Sequence, residues 1–138
     1  MNSYWEENMK VGVPVIDEQH EELFLQFEKL SKAVIEGGGS EGIGKLLSYL
    51  KEYAVSHFTN EENLMALYKY PGIEEQRKQH AIFKGYVNTL EEMLMKAVPT
   101  REIAIKIDAT LVRYFINHVR NLDAKMADFI KLHTSPQA

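Results

Sequence analysis

The sequence predicts an all-α fold: an up-down-up-down antiparallel four-helix bundle entered through an N-terminal arm. Three observations predict it. Apolar residues recur at 3.6-residue spacing along four long segments. The glycine and proline breaks between them are few and short. No stretch of strand length alternates with period two. Short connections make successive helices antiparallel neighbours.

The arm covers 1–16 and contains Pro14. The first helix is expected over 17–36, with Asp17 as N-cap and with His20, Phe24, Phe27, Ser31 and Val34 on one face. Gly37, Gly38 and Gly39 end it. The second is expected over 40–68, with Leu46, Leu50, Tyr53, His57, Glu61, Leu64 and Tyr68 as its stripe; Gly42 and Gly44 weaken its start. Pro71 and Gly72 separate it from the third, 73–98, whose stripe is Gln76, His80, Phe83, Val87, Leu90 and Leu94. Pro99 is the last break. The fourth helix, 101–132, is capped by Thr100 and lined by Ala104, Ile107, Leu111, Phe115, His118, Leu122 and Met126. The bundle proper is 17–132, and 133–138 is a tail.

Composition bounds the function. A chain of 138 residues with 45% apolar residues fits one globular domain. Sixteen Lys and Arg against twenty Asp and Glu give a net charge of -4, with no basic stripe for nucleic acid. The absence of cysteine removes disulfides, thiolate nucleophiles and thiolate-held metals. The first ten residues carry Glu6 and Glu7 and no apolar stretch, so they do not read as a signal peptide. The longest apolar run, 11–16, is far below the ~18 residues of a membrane span. The expectation is a cytoplasmic protein with neither nucleic-acid nor membrane partners.

The informative residues are polar ones on apolar stripes: His20, His57, Glu61, Gln76, His80 and His118, with Asp123 just beside the last stripe. Any one alone would pass as a satisfied core or boundary residue. Buried polar groups need partners, and buried charges need them most. In the predicted topology the starts of the first and third helices and the ends of the second and fourth share one end of the bundle. All seven residues then fall in a slab ~15 Å deep at 1.5 Å per residue. His57 and Glu61 are four apart and share a face, as do Gln76 and His80. His118 and Asp123 are five apart, a rotation of ~140°, and form the least well aligned pair. His133 lies outside the slab.

Four histidines and two acids from four helices point to a metal site. Imidazole and carboxylate donors without sulfur suit iron, manganese, zinc or copper. Seven candidates are too many for one tetrahedral zinc. Two ions sharing bridging carboxylates would use them all. With two divalent ions, Glu61, Asp123 and a hydroxide would bring the site to a charge of about +1.

These residues resemble the haemerythrin family, closest to its bacterial single-domain members. The matching stretches are Trp5, 11–20 ending in Asp17 and His20, 57–65 from His57 through Glu61, 70–83 with His80, and His118 with Asp123. The resemblance implies a di-iron centre with a bridging hydroxide or oxide that binds O2 reversibly. His20 and His57 would hold the O2-binding iron, His80 and His118 the second, and Glu61 and Asp123 would bridge them. Gln76 stands where the family has a third histidine on the second iron, so either its amide oxygen or a water is expected there. Tyr114 and Phe115 stand where the family usually has Trp and Leu, and Phe115 is placed to overhang the ligand. The expected pocket lining is Phe24, Phe27, Phe58, Leu64 and Phe115.

The expected function is O2 carriage, storage or delivery rather than enzymatic turnover. A di-iron oxidase or peroxide-reactive enzyme, made possible by Gln76, is the alternative. A sensing or interaction module is the third reading; metal content separates it from the others.

Overall fold

A computed structural model describes residues 4–37, 40–96 and 101–134. Among them the regular structure is helical: α1 (Pro14–Ile35), α2 (Ser40–Leu67), α3 (Ile73–Lys96) and α4 (101–134), preceded by a short 3-10 turn, Glu7–Met9. α1 packs on α2 and α4, α2 on α3, and α3 on α4, which closes the bundle. None of these helices is long and apolar enough to cross a membrane.

The start of α1 corrects the expectation placed on Asp17. The helix begins three residues earlier, with Pro14 in its first turn and extended Val13 as N-cap. Proline suits that place because its missing N–H would be unpaired there anyway. Asp17 is therefore inside the first turn. Its carboxylate reaches back to accept the N–H of Val11 at 2.7 Å and of Gly12 at 3.2 Å. Gly12 has φ +89, a left-handed conformation that glycine adopts without strain. Lys131 of α4 donates to the Val11 carbonyl at 2.8 Å. Together these bonds fasten the arm, with Met9 and Val11 buried, across α1 and α4.

α2 ends in a Schellman motif, with Tyr70 N–H donating to the Met65 carbonyl at 2.8 Å and Lys69 N–H to Ala66 at 3.2 Å. Lys69 takes the left-handed conformation, φ 55, that such a cap needs. At Gly72 a Cβ would meet the outer edge of the Tyr70 ring at 2.6 Å, so any larger residue there would have to displace that ring. The expected cap Thr100 and the break residues Gly38, Gly39 and Pro99 lie outside the described residues.

The buried faces agree with the sequence stripes on α1 and α3, at Leu50, His57 and Glu61 on α2, and along α4 except at Leu122. On α2 the buried line is Ile43, Leu47, Leu50, Ala54, His57, Phe58, Glu61 and Met65. Leu46, Tyr53, Leu64 and Tyr68 flank it, half-buried. On α4, Leu122 is not in the core and Asp123 is. The cause is the helix itself, which widens to π turns at Asp108–Val112 and Val119–Asp123. A π turn holds one more residue than an α turn, so the inward face is delayed by one position. The fourth helix also runs to Thr134, so His133 belongs to it rather than to a tail. Phe24, Phe27, Phe58, Phe83 and Phe115 form a fully buried aromatic cluster in the core.

Replacing Asp17 with alanine leaves the Val11 and Gly12 N–H groups without their acceptor. The expected cost is about 1–3 kcal/mol, read as a lower midpoint of urea unfolding with helical content retained.

Candidate metal centre

Each helix brings its donors inward for a local reason. On α1, His20 follows Ile16 by one turn and shares its buried face. On α2, His57 and Glu61 sit one turn apart. On α3, Gln76 and His80 do the same. On α4 the π turn Val119–Asp123 lies between His118 and Asp123 and turns a five-residue spacing into a shared face. The pair that spacing alone makes least aligned ends with His118 Nε2 3.2 Å from Asp123 Oδ1.

All seven expected residues converge. His20, Glu61, Gln76 and Asp123 are completely buried, and His57, His80 and His118 nearly so. Two groups form around the two carboxylates. On one side, His20 Nε2 lies 3.2 Å from Glu61 Oε2 and 3.1 Å from Asp123 Oδ2, and His57 Nε2 lies 3.2 Å from Glu61 Oε2. On the other, His80 Nε2 lies 3.3 Å from Glu61 Oε1 and His118 Nε2 faces Asp123 Oδ1. The Gln76 side-chain NH2 donates to that same Asp123 Oδ1 at 2.9 Å. Each carboxylate thus presents one oxygen to each imidazole pair.

Charge is balanced locally. Burial pushes the Glu61 carboxyl up, but the imidazoles of His57, His20 and His80 outweigh it and hold it well below the usual range. Asp123 is lowered too, with burial and Glu61 opposing and His118 and His20 prevailing. Burial would lower His20, yet Asp123 and Glu61 lift it to about 9. Burial keeps His57 below its ordinary value. His80 is raised, since Glu61 and Glu62 overcome its burial.

Two outer contacts aim the rings. His57 Nδ1 is 2.7 Å from Gln19 Oε1, and His80 Nδ1 is 2.9 Å from Glu62 Oε2. Each acceptor fixes a proton on Nδ1 and leaves Nε2 free for a metal. Sequence reasoning gave Gln19 and Glu62 no role. Their only trace is adjacency to His20 and Glu61, and the partner in each case comes from a different helix. Phe58 stacks on His80 with ring centres 4.0 Å apart. Phe115 lies 5.5 Å from His20 and 6.3 Å from His57, ring centre to ring centre. Of the expected pocket lining, Phe24, Phe27, Phe58 and Phe115 are fully buried, and Leu64 is only half-buried. Tyr114 turns away from the centre, its hydroxyl donating to Gln79 Oε1 and its ring against Tyr86. His133, exposed on α4, stacks on Phe129.

The donor set fits metal ions. Among the described residues His57 Nε2, His80 Nε2, His118 Nε2, Glu61 Oε1 and Asp123 Oδ2 are buried without a hydrogen-bond partner. Such a concentration of unpaired polar atoms is costly unless something collects them. Cations at the two groups would.

The comparisons agree. The family model of the Hemerythrin HHE cation binding domain matches residues 11–130. A bacteriohemerythrin of Stenotrophomonas maltophilia (strain R551-3) is 26% identical over 94% of this chain and 82% of its own length. One of Pseudomonas aeruginosa (strain LESB58) is 27% identical over 92% and 80%. A myohemerythrin of Theromyzon tessulatum is 29% identical over 88% of each chain.

Two predictions follow from this geometry. Replacing Glu62 with alanine frees His80 to rotate, and metal affinity measured by competition with a chelator falls ~10- to 100-fold while the helical spectrum is unchanged. Metal uptake is also linked to protons. The upward shift of His20 means that at pH 7.5 apoprotein still carries a proton that a free imidazole would have lost, and a ligating nitrogen must lose it. In anaerobic titration of apoprotein with ferrous iron in weak buffer, a bridging hydroxide formed from water would give one proton per chain, and His20 gives about one more. The His20 release fades as the pH is raised past about 9.

Proposed function

Because this chain belongs to the hemerythrin family, we propose that it is a non-haem di-iron protein that binds O2 reversibly, for carriage, storage or delivery in the cytoplasm. One observation carries the reading: Glu61 and Asp123 each divide their two oxygens between two imidazole pairs. A single ion would need one such pair; two ions side by side use both. In this reading His20 and His57 hold the O2-binding iron, His80 and His118 hold the second, and the two carboxylates bridge them.

When bound, the two ferrous ions would supply the electrons for reversible O2 uptake, one each, and a bridging hydroxide would supply the proton. The chain's own part is to hold and shield. Gln19 and Glu62 fix the ring orientations of His57 and His80. Phe24, Phe27, Phe58 and Phe115 keep the neighbourhood apolar. A dry site slows loss of the reduced ligand to water and so favours reversibility. Phe115, packed edge-on against His20, sets an apolar ring beside the place where O2 would bind.

One observation favours a second reading, a di-iron oxidase or peroxide-reactive enzyme. Gln76 engages Asp123 through its NH2 group and so leaves the second pair with fewer fixed donors. Anaerobic loading with ferrous iron followed by air separates the readings. Reversible binding gives roughly two irons per chain and a visible absorption band that disappears under vacuum. An oxidase instead bleaches at once to the diferric state and releases peroxide.

A further inference from the structure

The two halves of the centre differ by one side chain. Each receives an imidazole pair and one oxygen from each carboxylate. Gln76 stands on the His80–His118 side alone. Its NH2 lies 2.9 Å from Asp123 Oδ1, the same oxygen that faces His118. In this orientation the NH2 has an acceptor; turned over, the carbonyl oxygen would face a carboxylate oxygen and would need a cation to hold the two together. Gln76 Oε1 is left buried without a partner. Among the described residues no further imidazole reaches this side, since His133 is exposed on the last turn of α4.

We propose that Gln76 serves as a hydrogen-bond donor to Asp123 and not as a metal ligand. The second metal position then keeps an open coordination place for a small exogenous ligand, as the first does. The proposal rests on the di-iron reading. Non-haem ferrous iron in nitrogen and oxygen surroundings accepts up to about six ligands. Four protein donors and a shared hydroxide leave a vacancy at each ion. At the second ion, the unpartnered Gln76 oxygen adds an acceptor beside that vacancy, suited to water or a protonated ligand. Phe58, stacked on His80, bounds the size of what can enter. The ligand class is a diatomic or triatomic molecule such as nitric oxide or azide. A donor on Asp123 also draws electron density from the oxygen that faces the second ion, which weakens that oxygen's hold on it.

Nitric oxide, titrated anaerobically into ferrous-loaded protein, tests this. Iron content is measured on the same sample and the N–O stretch is followed in the infrared. The expected result is roughly two nitric oxide molecules per pair of irons and two N–O bands. In Gln76→His an imidazole fills the place, so one equivalent and one band remain, and the second iron resists chelation more strongly. Two irons with a single nitric oxide in the native chain overturn the proposal and leave the di-iron reading standing. Two equivalents in both proteins also overturn it, because Gln76 would then not govern the vacancy. Fewer than two irons overturns the di-iron reading and this inference with it.

Discussion

The rest of the structure depends on two carboxylates, Glu61 and Asp123, held with no exposure to water. Burying an ionised carboxylate costs on the order of several kcal/mol even after the protein relaxes. Two of them close together cost more, since each raises the other's tendency to take a proton. Imidazoles on every side are what keep both ionised. That balance works only if four histidines from four helices reach the same small volume. It demands close helices, inward-facing polar residues and a shell that fixes the rings.

The helices meet these demands by different local means. α2 and α3 use plain four-residue spacing, His57 with Glu61 and Gln76 with His80. α4 spaces His118 and Asp123 five residues apart and absorbs the extra one in a π turn. Without that widening Leu122 would take the inward position and Asp123 would point toward solvent. The aromatic cluster of Phe24, Phe27, Phe58, Phe83 and Phe115 then excludes water beside the polar slab. An excluded solvent strengthens each interaction inside and makes each unpaired atom more expensive.

Much of this is legible in the chain. The α3 stripe from Gln76 to Leu94 coincides with the buried face, because nothing interrupts its α-helical period. The convergence of seven polar residues follows from topology and helix length alone. Other features are hidden for physical reasons. On α2, Leu50, His57 and Glu61 are buried as expected, but Leu46, Tyr53 and Leu64 each lie one residue from the buried line because the hydrophobic band is wide. Leu46 or Leu47, and Tyr53 or Ala54, satisfy a 3.6 period equally well. Asp17 looks like an N-cap, yet Pro14 suits the first turn, and the arm's N–H groups claim the carboxylate instead. The π turns leave no periodic signature, since one extra residue in an otherwise α-helical pattern looks like an ordinary phase error. Gln19 and Glu62 matter only through partners 38 and 18 residues away.

Those two outer partners also bear on the asymmetry of the centre. His57 is backed by a neutral amide and His80 by a carboxylate. A carboxylate on Nδ1 makes the far nitrogen the more basic donor, so His80 donates more strongly than His57. Arg77 moderates the effect, with its Nε 3.6 Å from Glu62 Oε1, but both groups are part-exposed and the pair is weak. The half of the centre that holds Gln76 is therefore the half in which one of the two histidines, His80, is electronically reinforced. On an ion held there, Glu62 and Gln76 would act in opposite directions, one enriching it through His80 and the other depleting it through Asp123. The difference between the two metal positions is thus set by hydrogen bonds to ligands as much as by the ligands themselves.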